Sequence, residues 1–412
     1  MSLLCEVPHP SRRAVLMTGG ALFAWAALPK FARAADARDP RMLVLILRGA
    51  LDGLSAVAPI GDPDYAGLHG EIALSLTGPH PALPLDGFFA LNPAMPVFAR
   101  LFKANQAAVV HAAATGYRER SHFDGLDVLE SGLPAPGRVT TGWLNRALSA
   151  LPQGERVTLH GGLAVGPSTP LLLRGPAPVL GWAPRLLPVA GDDLADRVLR
   201  LYSHQDPVLA TALKQGLDTH RMASEPGIGA DGLASKGGLD SAAGMRQAAA
   251  GAARLMAADD GPRIAGLSFD GWDTHVNEGG ATGRLATLLG GLDGAFEELE
   301  KGLGNAWKET AIAVVTEFGR TAKINGTVGT DHGTGTVMFL AGGAIKGGRV
   351  IADWPGLKTA QLYEERDLKP TTDVRAVLKG LLADQFGLSA AVLADAIFPE
   401  TASLQPTAGL IA

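Results

Sequence analysis

The run Met42–Leu47 is apolar without interruption, and it constrains the fold more than any other segment. A strand with one solvated face alternates polar and apolar residues, so a continuous apolar run indicates a strand buried on both faces. Such strands occur in parallel sheets, because the crossover connections place helices on both faces of the sheet. Thr310–Thr316 is a second strongly apolar run of this kind.

Strand-like and helical patterns alternate along the rest of the chain. Further strands are predicted at Ala107–His111, Arg263–Phe269 and Val337–Ala341, and helical segments at about 192–258, at Gly283–Leu303 and at Thr372–Phe386. This alternation predicts a three-layer α/β sandwich with a mostly parallel central sheet that is covered by helices on both faces.

The N-terminal segment has the pattern of an export signal. Arg12 and Arg13 precede an uncharged stretch from Ala14 to Leu28, and a small-x-small sequence follows at Ala32–Ala34. The stretch is shorter than the ~20 residues that a spanning helix needs. The pattern predicts a twin-arginine (Tat) signal peptide over residues 1–34, which the Tat translocase would recognise and which would be removed on export to the periplasm. A short signal anchor that stays in the membrane is the alternative.

Composition narrows the function classes. Removal of the predicted signal takes four basic residues, one acidic residue and the only cysteine, Cys5, from a chain of formal charge −5. A mature chain without cysteine excludes a disulfide framework and a zinc site built on cysteine. Mild acidity and the absence of Lys/Arg runs argue against nucleic acid as a partner. No second apolar stretch reaches spanning length, so we expect no membrane contact after cleavage.

Residues 35–412 are expected to form a single α/β domain with an insertion at about 133–260. Residues 133–190 are rich in Pro and Gly and contain short strand-like pieces such as Arg156–Leu159. The helical pattern that follows is interrupted by the Gly-rich residues 227–238, whose composition is typical of an exposed linker.

Polar residues collect where the predicted strands end. They are Asp52 after the first strand, Arg120, Ser121 and Asp124 after Ala107–His111, Asp273 and His275 after Arg263–Phe269, Glu317 and Arg320 after Thr310–Thr316, and Asp331 and His332 before Val337–Ala341. Ligands bind outside the carboxyl ends of the strands in open parallel sheets, so we expect these residues to meet at one edge. Carboxylates and imidazoles suit Zn, Mn, Mg or Ca better than soft metals. The sequence therefore predicts a site for one or two divalent metal ions.

Each of these residues also has a purely structural interpretation. The structural alternatives are a turn at Asp52, a helix cap at Ser121, a loop salt bridge between Asp273 and His275, an internal ion pair of Glu317 and Arg320, and a capping Asp331 beside a core His332. If all of these structural alternatives were correct, polar residues would have collected at the strand ends by chance in four separate loops. A shared site explains the pattern more simply. His111, at a predicted strand end, is a secondary candidate.

Five segments of the chain resemble the domain-of-unknown-function 1501 family, a group of Tat-exported proteins within the alkaline phosphatase-like superfamily, which includes sulfatase-like enzymes. They are Arg48–Leu54, Arg120–Asp124, Gly271–His275, Thr316–Thr321 and Gly329–Gly333. The resemblance implies an alkaline phosphatase-like α/β sandwich with a metal-assisted site for hydrolysis of phosphate or sulfate esters.

The resemblance also implies roles for single residues. The implied metal ligands are Asp52, Asp273, His275, Glu317 and His332. Ser121 would be the nucleophile, and Arg120 or Arg320 would supply positive charge for a phosphoryl or sulfuryl group. Phe318 departs from the family pattern, because the superfamily has a His ligand at this place. Asp331 would then compensate as a ligand, or the site would hold one metal or none.

These observations lead to one hypothesis and one rival. The hypothesis is an exported, metal-dependent hydrolase of phosphate or sulfate esters that uses Ser121 as its nucleophile and a small-molecule ester as its substrate. The rival is an exported binding or assembly protein that keeps the fold without the activity and contacts another exported protein. Phe318 is the main support for the rival.

Overall fold

The structure, a computed structural model, describes residues 38–137, 139–151, 161–184, 192–223, 238 and 240–412. The predicted signal peptide at 1–34, the strand-like piece Arg156–Leu159 and nearly all of the Gly-rich segment 227–238 lie outside the described residues. Within the described ranges, no helix has the length and apolar character needed to cross a bilayer.

Twelve strands are numbered here in chain order. They are β1 (Arg41–Leu47), β2 (Val57–Ala58), β3 (Leu83–Pro84), β4 (Ala90–Leu91), β5 (Ala107–Ala114), β6 (Gly162–Val165), β7 (Val179–Trp182), β8 (Ile264–Phe269), β9 (Thr310–Val315), β10 (Thr336–Ala341), β11 (Arg349–Ile351) and β12 (Thr372–Asp373). The strands predicted from apolar runs all form, most of them within one or two residues of the predicted ends. β5 extends three residues beyond His111.

The α-helices are numbered in the same way. They are α1 (Gly53–Ala56), α2 (Tyr65–His69), α3 (Pro96–Lys103), α4 (His122–Ser131), α5 (Trp143–Ala150), α6 (Asp192–Gln205), α7 (Pro207–Ala223), α8 (Ala242–Ala257), α9 (Arg284–Leu303), α10 (Val374–Phe386) and α11 (Ala390–Val392). Helix α10 begins after Asp373, whose side chain accepts a hydrogen bond from the Arg375 N–H and so caps the helix.

The central sheet has nine strands in the order β11-β5-β10-β9-β1-β8-β6-β7, with β12 also paired to β5. Strand β10 is antiparallel to both of its neighbours, β5 and β9, and the other pairs are parallel. A separate three-stranded antiparallel sheet joins β2, β4 and β3. The prediction of a mostly parallel central sheet is confirmed.

The two faces of β1 belong to two different hydrophobic cores, which explains its continuous apolar run. Leu43 and Leu45 lie in a core with residues of α8 and α9, and Met42 and Val44 lie in a core with residues of α5 and α10. All seven residues of β1 are buried. The predicted three-layer arrangement, with helices on both faces of the sheet, is therefore confirmed.

Part of the region predicted as an insertion belongs to this sandwich. Strands β6 and β7 extend the central sheet beyond β8, and α8 contributes Met245 and Leu255 to one of the two cores. Their Gly-rich and Ala-rich sequences carry few large apolar residues, which is why the pattern alone did not assign them to the core.

The sheet topology gathers five loops at one edge. Strands β1, β5, β8 and β9 run in the same direction, so the loops that follow them leave from the same edge of the sheet. Because β10 runs in the opposite direction, the loop that precedes it arrives at that edge as well. The polar residues predicted to follow these strands, or to precede β10, lie in these five loops.

His111 in β5 is a core residue. Its Nε2 donates to the Val57 carbonyl (2.9 Å), its Nδ1 accepts from the Ala112 N–H (2.8 Å), and its ring stacks on Phe89 with centroids 5.0 Å apart. The side chain is fully buried, and burial lowers the pKa of His111 to about 4. The hydrogen bonds and the burial assign this secondary candidate a structural role as a neutral imidazole.

The buried imidazole predicts an acid-dependent loss of stability. A folded-state pKa below the unfolded value means that stability is fully present above pH 6.5 and is lost as the pH falls towards 4. The loss attributable to His111 is about 3 kcal/mol. We expect the free energy of unfolding, measured by urea denaturation between pH 7 and pH 4.5, to fall less steeply with pH in His111→Gln than in the wild type. The exposed His80 provides the control variant His80→Gln, which should keep the wild-type slope. Equal slopes for His111→Gln and the wild type would contradict the assignment.

Candidate metal centre

Three imidazole nitrogens and one carboxylate converge at the carboxyl edge of the sheet. His332 Nε2 lies 2.9 Å from His122 Nε2 and 3.0 Å from His275 Nε2. Asp273 Oδ1 lies 3.3 Å from His332 Nε2 and 3.1 Å from His275 Nε2, and Asp273 Oδ2 lies 3.6 Å from His122 Nε2. Asp273 and His332 are thus common to two overlapping triads, one completed by His122 and the other by His275. We call these four residues the metal cluster.

The four members of the metal cluster come from three segments of the chain that meet at the same edge of the sheet. His122 is the first residue of α4, after β5, while Asp273 and His275 follow β8 and His332 precedes β10. The side chains of His122 and His332 are 27% and 26% exposed, so a small molecule in solvent can reach the cluster.

The far nitrogen of every ring in the cluster faces an oxygen that can only accept a hydrogen bond. The acceptors are Glu317 Oε1 for His122 Nδ1 (2.7 Å), Asp331 Oδ1 for His275 Nδ1 (3.1 Å) and the Arg120 carbonyl for His332 Nδ1 (3.2 Å). In the neutral form of each ring, Nδ1 therefore carries the proton, which leaves Nε2 to offer a lone pair to the shared space. Acceptors behind metal-binding imidazoles fix the ring orientation and the tautomer in this way.

The electrostatic environment differs between the rings. The hydrogen bond that His122 donates to Glu317 raises the pKa of His122, against the effect of partial burial. Burial, together with the charges of His122 and Arg320, lowers the pKa of His332. His332, which lies at the centre of both triads, is therefore held in its neutral form more strongly than His122.

Arg320 fixes the carboxylate of the metal cluster. Its Nη1 donates to Asp273 Oδ1 (2.7 Å), its Nη2 donates to the Thr330 carbonyl (2.6 Å), and the residue is buried. Burial by itself would raise the pKa of Asp273, but the hydrogen bond and charge of Arg320 and the neighbouring His275 lower it. Asp273 is thus held as an anion that points towards the ring nitrogens.

The two predicted ligands Glu317 and Asp331 lie behind the rings. Glu317 is fully buried, and its oxygens accept hydrogen bonds from the Gly49 N–H (2.8 Å), the Thr316 hydroxyl (3.0 Å) and His122. Asp331 accepts from His275 and from the Asn325 amide (3.1 Å). In this arrangement both carboxylates orient imidazoles.

Gly49 permits the approach between the first loop and the cluster. Its φ is +122°, a left-handed conformation that favours glycine, and a Cβ placed on it would lie 2.4 Å from the backbone nitrogen of Asp273. The same residue donates its N–H to Glu317. Any side chain at position 49 would displace Asp273.

Phe318, the departure from the family pattern, supports the rings. It is buried, its ring stacks on that of His122 with centroids 5.1 Å apart, and it packs at 5.3 Å against the ring of His332. Position 318, where the resemblance led us to expect a further His ligand, therefore holds an apolar ring that packs against two of the histidines.

Ser121 and Arg120 lie beside the cluster at the start of α4. Ser121 occupies the N-cap position, but its hydroxyl makes no capping hydrogen bond, and its N–H donates to the Tyr117 hydroxyl (3.3 Å). Arg120 has a φ of +58°, a strained value for a non-glycine residue, and this conformation directs its carbonyl towards His332. The Arg120 guanidinium is bound to Asp367 (2.8 Å) and Glu364. Arg120 and Arg320, the two alternative sources of positive charge that the sequence suggests, are thus both paired with carboxylates.

Asp52 lies in a second network that is entirely buried. Its side chain accepts from the Leu54 N–H (2.9 Å), where it caps α1, and from His69 Nε2 (3.1 Å). The buried Glu278 is its neighbour, and burial and the charge of Asp52 raise the pKa of Glu278 well above its usual value. The Thr330 hydroxyl donates to Glu278 (2.6 Å) and accepts from Arg320 Nε (3.2 Å), which connects this network to the metal cluster.

Sequence reasoning did not single out His122 as a candidate ligand, and it also missed His69 and Glu278. His122 stands next to Ser121 in a quoted motif, at a predicted helix start, and that position was the available signal. Nothing in the sequence links Glu278 or His69 to Asp52, because the three residues meet only through the tertiary fold.

The donor set fits a transition metal. Tetrahedral zinc with ligand bonds of about 2.0 Å keeps its ligand atoms about 3.3 Å apart, and the separations measured here run from 2.9 to 3.6 Å. Imidazole nitrogens suit zinc and other first-row transition metals, whereas Mg and Ca prefer sites made of oxygen ligands. Without a cation, a proton on one Nε2 of each close pair forms a hydrogen bond to the other, and a bound cation would take the place of those protons.

The chain is weakly similar to several solved structures. Ps i-CgsB, solved in complex with k-i-k-neocarrahexaose, is 10% identical with a TM-score of 0.44, and the alignment covers 90% of this chain and 75% of that one. A protein in the alkaline phosphatase superfamily from Vibrio parahaemolyticus is 11% identical with a TM-score of 0.34, covering 74% of this chain and 60% of that one. The alkaline phosphatase from the Antarctic bacterium TAB5 is 12% identical with a TM-score of 0.33, covering 74% and 92%. No functional assignment follows from similarities of this strength.

The family assignment rests on the sequence match. No curated protein matches the chain. The model of the family described as "Protein of unknown function (DUF1501)" matches residues 39–397, which include every member of the metal cluster. The resemblance found in the five segments is therefore confirmed, and the chain belongs to the DUF1501 family.

Proposed function

We propose that this protein is a metal-dependent hydrolase of phosphate or sulfate esters. The observation that carries the proposal is the set of three imidazoles whose Nδ1 atoms are all bound to acceptors, so that their Nε2 atoms face one another and Asp273. A bound cation would satisfy these three nitrogens and the Asp273 carboxylate together, in place of the protons that otherwise lie between them.

His122, Asp273 and His332 would hold the metal, with His275 as a fourth ligand or as the completion of a second site. Zn or Mn suits these nitrogens better than Mg or Ca. When bound, such an ion polarises an ester oxygen and lowers the pKa of a coordinated hydroxyl group.

Ser121 is the proposed nucleophile. It precedes the ligand His122, and it stands at the N-terminal end of the ten-residue helix α4, where the helix dipole favours negative charge on its oxygen. The Tyr117 hydroxyl accepts the Ser121 N–H and so fixes the backbone of this residue. Arg320 holds Asp273 and Glu317 holds His122, so both keep the ligands in place during the reaction.

Export through the Tat pathway remains part of the proposal. It rests on Arg12 and Arg13, the uncharged stretch that follows and the small residues at Ala32–Ala34. A protein that folds around a metal before export suits a pathway that carries folded proteins. The partners would then be the Tat translocase during export and a small-molecule ester afterwards.

Removal of the Ser121 hydroxyl tests the reaction separately from metal binding. We expect Ser121→Ala to lower kcat for generic phosphate or sulfate esters by ~10³-fold or more, because the nucleophile is lost. Bound metal, measured by plasma mass spectrometry, should stay at the wild-type level. The control Ser203→Ala changes an exposed hydroxyl on α6 and should keep full activity.

Two outcomes contradict parts of this proposal. Equal turnover in the wild type and Ser121→Ala would exclude Ser121 as the nucleophile. Metal binding without turnover of any phosphate or sulfate ester would exclude the hydrolase and favour the exported binding or assembly protein.

Substitution of Gly49 tests how the first loop shapes the cluster. A Cβ at this position would overlap the backbone of Asp273, so Gly49→Ala should lower metal affinity by 10- to 100-fold, as expected for loss of ligand positioning. The control Gly216→Ala lies in α7 where an added Cβ meets open space, and it should keep metal affinity and gain about 0.5–1 kcal/mol of local helix stability. Competition titration with a zinc-sensitive dye measures both variants. Unchanged affinity in Gly49→Ala would show that the loop does not position Asp273.

A further inference from the structure

A groove lies between α4 and the loop before β7. It consists of two adjoining cavities of about 270 Å³ and 110 Å³, and Arg48, Ser168 and Pro170 line both of them. The larger cavity is slightly smaller than the 300–1,000 Å³ typical of sites for drug-sized ligands. The groove is therefore suited to a group of about one ring in size.

Two residues that line the groove are chain neighbours of residues in or behind the metal cluster. Phe123 lines the larger cavity and directly follows the ligand His122 in α4. Arg48 lines both cavities and directly precedes Gly49, whose N–H binds Glu317. A molecule whose ester group reached the cluster would extend its remaining part into this groove.

Phe123 presents an aromatic face to solvent at the groove. Its side chain is 88% exposed, the largest exposed fraction among the bulky hydrophobic residues of the described chain. Leu126 and Pro170 line the same cavity and continue the apolar surface. An exposed aromatic group beside a cleft indicates a contact surface for a ligand.

The groove also offers hydrogen-bond donors and acceptors. Arg48 Nη2 donates to the buried Glu130 (2.9 Å), while its buried Nε has no hydrogen-bond partner among the described residues. Arg174 is exposed at the other end and donates its Nε to the Thr169 carbonyl (3.0 Å). Asp270 lines the smaller cavity with Asp240, whose carboxylate accepts the Asp270 N–H (2.7 Å).

The balance of charge decides between ligand classes. Two arginines line the cavities, together with four carboxylates: Asp127, Glu130, Asp240 and Asp270. The negative excess disfavours a second anionic group on the ligand. The arginines beside the aromatic ring disfavour a cationic group. A neutral ligand that both donates and accepts hydrogen bonds satisfies the whole lining.

We propose that this groove binds the sugar ring of a carbohydrate ester, so that the ester cleaved at the metal cluster is a sugar phosphate or sugar sulfate. The inference rests on the proposed function for the identity of the reaction, but the binding of the ring depends on the groove alone. Phe123 packs its face against the C–H groups of the ring. Arg48 and Arg174 donate to its hydroxyl oxygens, and Asp270 accepts from its hydroxyl groups.

Binding of neutral sugars to the full chain tests the inference without any reaction. The probes are the methyl glycosides of glucose, galactose and mannose, observed by saturation-transfer difference NMR on metal-free protein. We expect ring-proton signals from at least one glycoside, with affinity 3- to 10-fold weaker in Phe123→Ala and near wild type in Phe123→Tyr. Arg174→Ala should weaken binding as well, while the control Arg200→Ala, on the exposed surface of α6, should not.

The outcomes separate this inference from the proposed function. Absence of binding by all three glycosides, or binding that is equal in the wild type, Phe123→Ala and Arg174→Ala, overturns the sugar groove. Turnover of methyl phosphate or phosphoethanolamine in preference to glucose phosphates also overturns it and leaves the hydrolase intact. If glycoside binding depends on Phe123 but the protein hydrolyses no ester, the result supports sugar binding in the groove and contradicts the proposed hydrolase activity.

Discussion

The hydrogen bonds behind the histidine rings determine the chemistry of this site. An imidazole can offer either nitrogen, and only the partner on the far side decides which nitrogen carries the proton. Here the partners are two carboxylates and one backbone carbonyl, and all of them can only accept. In their neutral form the rings therefore turn their Nε2 atoms towards one shared space, where a cation can replace the protons that lie between them. The buried Glu317, the strained Arg120 and the packing of Phe318 all serve this arrangement.

The sheet brings these groups together through its strand directions. In the central sheet, β1, β5, β8 and β9 end at one edge. Strand β10 runs in the opposite direction, so the loop with His332 that precedes it lies at the same edge. Gly49 then allows the first loop to lie against Asp273 without a side chain between them. Behind this layer, Arg320 and Thr330 form a chain of hydrogen bonds from Asp273 to Glu278, which neighbours the buried Asp52. The metal cluster is therefore connected to buried side chains.

Much of the fold could be predicted, because burial on both faces leaves a clear signal in the sequence. The apolar runs at Met42–Leu47 and Thr310–Thr316 are such signals, and placing polar loops at the carboxyl ends of these strands identified Asp273, His275 and His332. Strands β6 and β7 gave a weak signal, because short segments that contain Gly lack a distinct period.

The roles within the site were less accessible to sequence reasoning. Whether a carboxylate binds a metal directly or orients an imidazole depends on about 3 Å of separation, which no spacing in the sequence encodes. The sequence therefore predicts Glu317 and Asp331 as ligands without showing that each also accepts a hydrogen bond from an imidazole, and it does not single out His122. Asp52 follows the first strand as expected, but a capping bond and His69 hold it in the interior. Phe318 appeared as a missing ligand because its packing against two rings is a tertiary contact.

Anomalous diffraction from crystals grown with Zn²⁺ or Mn²⁺ tests the central claim most directly. An anomalous difference map at the absorption edge of the metal locates the ion without reference to activity. We expect a peak bounded by the Nε2 atoms of His122 and His332 and by the Asp273 carboxylate. A peak between Asp52 and Glu317, or no peak at saturating metal, would contradict the account.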